Sequence, residues 1–387
     1  MNLLLLLVAL STAFCLPLEK RIESFSANEA YTSVLTSTWK LFWNEQLGAF
    51  NLNDPSCSKN FSLPAVWDVA VVAKAIIESG NNTASQKVLT QLYSHQSSNG
   101  WFTALPNQTD AFTDDNAQIV WALLTAYDLT KDEKHLATAK QLVKLIQGQW
   151  SDIGGITWKT GDPYVASIST TEAALAAVRL YKYTQDKSLL DFAEQCLSWM
   201  EEKLKDSLDG FYFDGINKNN GDIDRGKLSY TVGTAISSYI YLYKFTNNAT
   251  YLSIANLKAT AVFATDTSNA LMNNGGGWNN GLKYNHLLFA GIADLIQIGG
   301  QLQYTQKLID QARIVHDYDQ LSEGVYVDFY TVETLANRYT QLTGQPNGYS
   351  FNANNYCNNN KLDPKRSVLN QGSAAQIFYQ VNRVSSG

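Results

Sequence analysis

Apolar positions along most of the chain recur at the i, i+3, i+4 spacing of helices that bury one face. The pattern also repeats on a larger scale. The stretches Ala126-Tyr127-Asp128-Leu129-Thr130, Leu180-Tyr181-Lys182-Tyr183-Thr184 and Leu242-Tyr243-Lys244-Phe245-Thr246 align with one another. After each closing Thr come a Leu (Leu136, Leu190, Leu252) and then an Ala (Ala139, Ala193, Ala255) at matching offsets. This spacing predicts a helix end, a short polar turn and a second amphipathic helix. A further signal marks the end of each second helix: a Gly followed closely by an aromatic residue. It occurs at Gly48…Phe50, Gly100-Trp101-Phe102, Gly155…Trp158, Gly210…Phe213, Gly277-Trp278 and Gly324…Tyr326, at intervals of 52, 55, 55, 67 and 47 residues.

Six units of this size account for nearly the whole chain. A lone helical hairpin cannot bury its apolar face, and an open stack would need polar capping units, which the sequence lacks. The expected fold is therefore all-α, an (α/α)6 barrel of six helical hairpins forming a single domain. The more apolar helix of each pair, following the Gly-aromatic turn, is expected inside the ring. These inner helices are predicted over about 64–77, 114–130, 168–184, 229–246, 283–298 and 369–382. Charged stretches such as DEKHLATAKQLVKLI are expected outside. Residues 331–367 break the period, combining a short helical stretch with an Asn- and Gly-rich loop.

Composition narrows the chemistry. The chain has 387 residues, of which 45% are hydrophobic and 12% aromatic, so it is no disordered segment. Its 29 basic and 35 acidic residues give a net charge of −6, which argues against a nucleic-acid partner. Low charge with many Trp, Tyr and Asn suits a neutral, hydroxyl-rich ligand. The start, MNLLLLLVALSTAFC, is too short to span a bilayer and reads as a secretory signal. Lys20-Arg21 closes a short pro-segment. Residues 1–21 are thus expected to be removed, leaving 22–387 as the catalytic domain. No later segment has the apolar length of a membrane span, and IFYQVNRVSSG lacks the tail of a lipid-anchor signal, so a soluble, secreted, extracellular monomer is expected. Sequons at Asn60, Asn81, Asn107 and Asn248 fit that compartment. So does a Cys57–Cys357 disulfide between two polar loops, with Cys196 left as a buried thiol in a helix. Four His, no HxxH and no CxxC offer no metal site, and no cofactor is expected.

The starts of the inner helices, predicted to meet on one rim, are polar where packing would favour apolar residues. They carry Trp67-Asp68, Asp114-Asp115-Asn116, Ser169-Thr170-Thr171-Glu172, Tyr230-Thr231, Tyr284-Asn285-His286 and Asn370-Gln371. Rings that stack on pyranose faces beside groups that bind hydroxyls suit a sugar site. Asp114-Asp115 at a helix start could place two carboxyls about 5–5.5 Å apart, the separation of a retaining glycosidase. The same Thr-Asp-Asp-Asn run is also an ordinary helix start with acidic first-turn residues. Trp158, Trp278 and Tyr230 fit packing as well as sugar stacking. Asp68 and Asp214 are solvated-loop or ligand-contacting acids, and His286 reads as structural.

The run Thr113-Asp114-Asp115-Asn116-Ala117, with Trp121-Ala122-Leu123 and Ala126-Tyr127-Asp128-Leu129-Thr130, resembles the signature of glycoside hydrolase family 76, the endo-α-1,6-mannanases of bacteria and fungi. Gly154-Gly155-Ile156-Thr157-Trp158, Asp214-Gly215, Tyr230-Thr231-Val232-Gly233 and Asn370-Gln371-Gly372 are similar in order. The resemblance implies an (α/α)6 barrel and a metal-free retaining hydrolase of α-1,6-mannan, with Asp114 as nucleophile and Asp115 as general acid/base. Trp67, Asp68, Asn116, Trp158, Asp214, Tyr230, Thr231 and Trp278 are then expected at the substrate. Val232, Gln118-Ile119 and the Ser/Thr run at 169–171 depart from the family pattern and bear on the preferred glycan. The same acid pair would serve a cell-wall mannan transglycosylase. An inverting α-glycosidase of this fold would pair one rim acid with a distant carboxylate such as Asp214 or Glu333.

Overall fold

The computed structural model describes residues 25–265, 269–272 and 276–385. The predicted leader and pro-segment lie outside these residues. Thirteen α-helices follow one another in the described chain, beginning with α1 (Ala27–Phe42), α2 (Val66–Glu78), α3 (Asn82–Tyr93) and α4 (Thr113–Thr130). Next come α5 (Glu133–Gln147), α6 (Ser167–Thr184), α7 (Ser188–Lys203) and α8 (Ser229–Thr246). The remainder are α9 (Ala249–Val262), α10 (Leu282–Gln297), α11 (Thr305–Ile314), α12 (Glu333–Thr343) and α13 (Val368–Ser385). Helices α2, α4, α6, α8, α10 and α13 each pack on the next, and α13 returns to α2. The ring is closed, as the repeat predicts. Each inner helix carries an outer one, the last being α1, which packs on α13 and so joins the two ends of the chain.

Burial follows this arrangement. Inner α4 is enclosed on nearly every side, with Ala117, Ile119, Val120, Trp121, Ala122 and Leu123 all buried. Outer α5 buries one face, with His135, Leu136, Thr138, Ala139, Leu142, Val143 and Ile146. Small residues set how closely the inner helices approach. A Cβ on Gly233 would sit 2.2 Å from the Leu287 carbonyl oxygen, and one on Gly291 would sit 2.3 Å from that of Gly233. Helices α8 and α10 therefore touch backbone to backbone.

The sequence repeats have distinct structural causes. Lys131, Gln185 and Asn247 end α4, α6 and α8 in the left-handed conformation, each at φ 57°. The preceding Thr130, Thr184 and Thr246 hydroxyls donate to carbonyls four residues back and accept the N–H of Asp132, Asp186 and Asn248. Each Gly-aromatic turn is a short antiparallel hairpin, pairing Trp43 with Phe50, Gln96 with Phe102, Trp150 with Ile156, Lys205 with Tyr212, Met272 with Trp278 and Gln320 with Tyr326. Gly100 takes φ +94° at one such turn, a region closed to most side chains. First-turn side chains of inner helices hold three of these hairpins. Asn116 accepts from the Phe102 N–H, Thr170 from that of Ile156 and Gln371 from that of Tyr326.

The irregular stretch after 331 contains α12 and a loop bound to the 51–65 loop. The Cys57–Cys357 disulfide links them, with Cα atoms 4.6 Å apart, and Arg366 pairs with Asp54 beside it. Cys196 is a buried free thiol. Asn60, Asn81, Asn107 and Asn248 are all exposed. No helix among the described residues is long and apolar enough to cross a membrane.

Substituting Gly233→Ala should force α8 from α10 and cost about 1–3 kcal/mol of stability, the usual range for overpacking. Chemical denaturation measures it, and an unchanged midpoint would contradict the close approach.

Candidate active site

The inner helices start on one face of the ring, and there a cavity of about 670 Å³ opens among them. Its walls come from α2 (Trp67), α4 (Asp114, Asp115, Gln118), α6 (Ile168), α8 (Tyr230) and α10 (Lys283, Tyr284, Leu287). A small antiparallel sheet of Tyr164–Ala166, Gly215–Asn217 and Ile223–Asp224 extends the rim, carrying Tyr164, Asp214 and Asp224 to the mouth.

Asp114 and Asp115 occupy the first turn of α4. The residue that caps this helix is Phe112, which supplies no side-chain bond. The Trp158 carbonyl accepts the Thr113 N–H, and the Trp158 indole N–H donates to Asp114 Oδ2 at 3.2 Å. Asp114 Oδ1 is buried without a partner. Burial pushes the Asp114 carboxyl up to about 6, while first-turn N–H groups and the indole favour its charge. Asp115 is pushed well above the usual carboxylate range, first by burial, then by the charges of Asp114 and Asp68. Beyond burial, the two adjacent acids differ in what acts on their charge: donors favour it at Asp114, against Asp214, whereas the carboxylates of Asp114 and Asp68 disfavour it at Asp115.

Other carboxyls ring the pair. Asp68 accepts the Ala65 N–H at 3.0 Å, closing the start of α2, and burial raises it to about 6 against the pull of that N–H and of Lys283. Asp214 accepts from the Tyr164 hydroxyl at 2.6 Å; burial raises it, the hydroxyl opposes the rise, and Asp224 adds to it. Glu172 lies fully buried in α6, raised well above the usual range by burial and then by Asp114 and Asp115.

Aromatic rings line both sides. Trp67 and Tyr284 lie nearly parallel at 6.4 Å, and Tyr284 stacks on Tyr230 at 5.0 Å and 19°. Lys283 Nζ sits 4.8 Å from the Tyr284 ring centre. Across the cavity, Phe112 packs on Trp158 at 4.9 Å, and Trp158 remains 39% exposed. Half-open rings flanking hydroxyl-binding acids suit pyranose faces better than a charged ligand.

Of the sequence candidates, Trp67, Asp114, Asp115, Trp158, Asp214 and Tyr230 meet at this cavity. Asp68 does not line it and instead accepts the Ala65 N–H at the start of α2. Three further expectations require correction. Asn116 is wholly buried, its amide committed to the Phe102 backbone and the Phe112 carbonyl. Thr231 is 2% exposed and points into the packing of α8, where Tyr230 faces the cavity. Trp278 donates to the Val262 carbonyl at 2.9 Å and packs edge-on to Phe289, lining a separate cavity of about 290 Å³. His286 is buried, and desolvation holds it down at about 3, far below its usual range. Sequence reasoning missed Phe112, Tyr164 and Lys283 as wall residues. The alternation in Tyr164-Val165-Ala166 was the available signal for Tyr164.

A buried acid with raised proton affinity opposes folding as pH rises. Its native form binds more protons than the unfolded chain between the two values, so stability falls over about pH 4–7. Asp115→Asn should therefore raise the melting temperature near pH 7, by about 1–3 kcal/mol in stability, and much less near pH 4. Calorimetry at both pH values tests this, and an equal shift at each would contradict the burial.

The model of glycosyl hydrolase family 76 matches residues 26–369. Among curated relatives, the mannan endo-1,6-alpha-mannosidase DFG5 of Candida albicans is 27% identical over 216 residues, covering 50% of this chain and 48% of that protein. The meiotically up-regulated gene 191 protein of Schizosaccharomyces pombe is 28% identical over 199 residues, covering 45% of each. The matches thus span about half the length of these relatives. Among solved structures, the GH76A α-1,6-mannanase of Salegentibacter superposes with a TM-score of 0.73 at 19% identity, covering 93% of this chain and 100% of that one. An inactive variant of that enzyme, with two consecutive aspartates replaced by asparagine, is in complex with α-1,6-mannotriose and superposes at 0.70. These likenesses share the helical ring described above. On the extent of the family match, the chain belongs to glycosyl hydrolase family 76.

Proposed function

We propose that the protein is a retaining glycoside hydrolase that cleaves internal α-1,6-mannosidic linkages by double displacement. The observation that carries this reading is the contrast within the Asp114-Asp115 pair. Asp114 has the indole N–H and the helix start to stabilise a negative charge. Asp115 has no such donor and is surrounded by carboxylates that keep its proton in place. That is the division of roles a retaining glycosidase needs. Asp115 protonates the glycosidic oxygen as the bond to the anomeric carbon breaks, and Asp114 attacks that carbon from the opposite face. The new ester removes the charge of Asp114. Asp115, now ionised, takes a proton from water, which attacks the anomeric carbon, frees the sugar and restores both groups. The Trp67–Tyr284–Tyr230 row and Trp158 provide faces on which mannosyl units stack.

The choice of α-1,6-mannan is supported by the activities named for the relatives and by the aromatic walls. Residues 22–387 are proposed as the mature, secreted, monomeric catalytic unit. The exposed sequons Asn60, Asn81, Asn107 and Asn248 are its proposed glycosylation sites. Cavity-lining Asp214, whose Oδ2 accepts from the Tyr164 hydroxyl, is the acid that an inverting pathway would pair with Asp114 or Asp115.

Asp114→Asn and Asp115→Asn should each lower kcat on linear α-1,6-manno-oligosaccharides by about 10²–10⁴-fold or more with the fold intact. Near-wild-type turnover by either would retire the assignment. Product sizing, with NMR of the first-formed anomer and excess acceptor glycan, separates retention from inversion and hydrolysis from transfer. Trp158→Phe removes a donor that favours ionised Asp114, so the acidic limb of the kcat/KM profile should move to higher pH. A limb that stays in place or moves lower would show that the indole does not hold the nucleophile's charge.

A further inference from the structure

We propose that Glu172 is a positioning residue for the aspartate pair, a buried carboxyl that retains its proton and fixes the Gln118 amide against the cavity beneath Asp114 and Asp115. The inference rests on the hydrolase reading above. Gln118 lies one turn beyond the pair on the same face of α4, where residues three and four apart are neighbours. Its side chain lines the cavity, and its Nε2 donates to Glu172 Oε1 at 3.1 Å across the α4–α6 contact. Glu172 is 0% exposed, and its Oε2 is buried without a partner. An ionised carboxylate with one amide donor and a bare buried oxygen is a costly arrangement, whereas a neutral acid requires far less solvation.

The groups that face Glu172 reinforce this. Asp114 and Asp115 from α4 both raise its proton affinity, and it in turn acts on Tyr230 of α8. Among the described residues, the one side-chain group favouring its charge is the Gln118 amide. Three neighbouring carboxyls in one enclosed site cannot all ionise, and Asp114 alone has an indole donor and helix N–H groups to stabilise the charge. A neutral Glu172 therefore leaves the cluster's negative charge on the nucleophile. Glu172 touches no reacting atom and transfers no proton; it acts through Gln118 and through the absence of a charge. A purely apolar residue at this place would spare the charge but release the amide, while an ionised one would hold the amide and oppose the nucleophile.

The test compares Glu172→Gln, Glu172→Ala, Gln118→Ala and the Glu172→Ala/Gln118→Ala pair on linear α-1,6-manno-oligosaccharides. Glu172→Gln, which keeps an acceptor without a charge, should stay within about threefold of wild type with both pH limbs in place. Glu172→Ala and Gln118→Ala should each lose about tenfold or more in kcat, and the double variant no more than either, because both break one contact. A Glu172→Gln variant with a displaced pH limb or a hundredfold loss would overturn the proposal, as would alanine effects that multiply or vanish. A readout without substrate keeps the two readings apart. If Glu172 retains its proton, the melting temperature of Glu172→Gln gains on wild type as pH rises from about 4 to 7. A constant difference retires Glu172 as a proton holder, whereas an inactive wild type retires the hydrolase reading alone.

Discussion

Removal of carboxyl groups from water at the mouth of a closed helical ring is the interaction on which the site depends. Burial is the leading cause of the raised proton affinity of Asp114, Asp115, Asp68, Glu172 and Asp214 alike. Desolvation pushes all five in the same direction. The differences among them come from what each faces: an indole and helix N–H groups, a backbone N–H, a tyrosine hydroxyl, an amide, or only other acids. One ring of helices thereby produces a graded set of acids from five chemically similar groups.

Such a site costs stability and needs a frame that does not yield. The frame is the backbone contact of α8 with α10 through Gly233 and Gly291, and the return of α13 to α2. The first-turn side chains Asn116, Thr170 and Gln371 secure the hairpins that lead into the inner helices. Polar residues at the rim therefore divide into two kinds. Some fasten the turns and never meet the cavity, and others are exposed to it with atoms left unpaired. Both kinds look alike in a sequence.

That division sets how much could be read from the chain. The ring was legible because its causes are local. The Thr before each left-handed helix end and the Gly-aromatic hairpins recur at fixed offsets, and periodicity separates enclosed α4 from one-sided α5. Inner-helix boundaries came out within a few residues. The place of Asp114 and Asp115 at the rim was also legible, since the repeat puts the start of α4 there. The direction of individual side chains was not. Asn116 adjoins Asp115 yet turns to the Phe102 backbone, and Thr231 adjoins Tyr230 yet turns into the core. Trp278 shares the Gly-Trp signal of its turn but packs on Phe289. A step of about 100° per residue on a helix decides such cases, together with neighbours from distant parts of the chain. Tyr164, carried in on a short strand, could be placed only by that strand's pairing with Gly215–Asn217.

In the proposed mechanism, Asp114 carries the charge and forms the bond to sugar while Asp115 keeps the proton. The most direct measurement is peptide mapping by mass spectrometry after incubation with an activated fluorinated mannosyl donor that forms but only slowly loses a glycosyl-enzyme. A single mannosyl adduct on Asp114, abolished in Asp114→Asn, is the expected result. An adduct on Asp115 or Asp214 instead, or release of inverted product with no adduct at all, would contradict it.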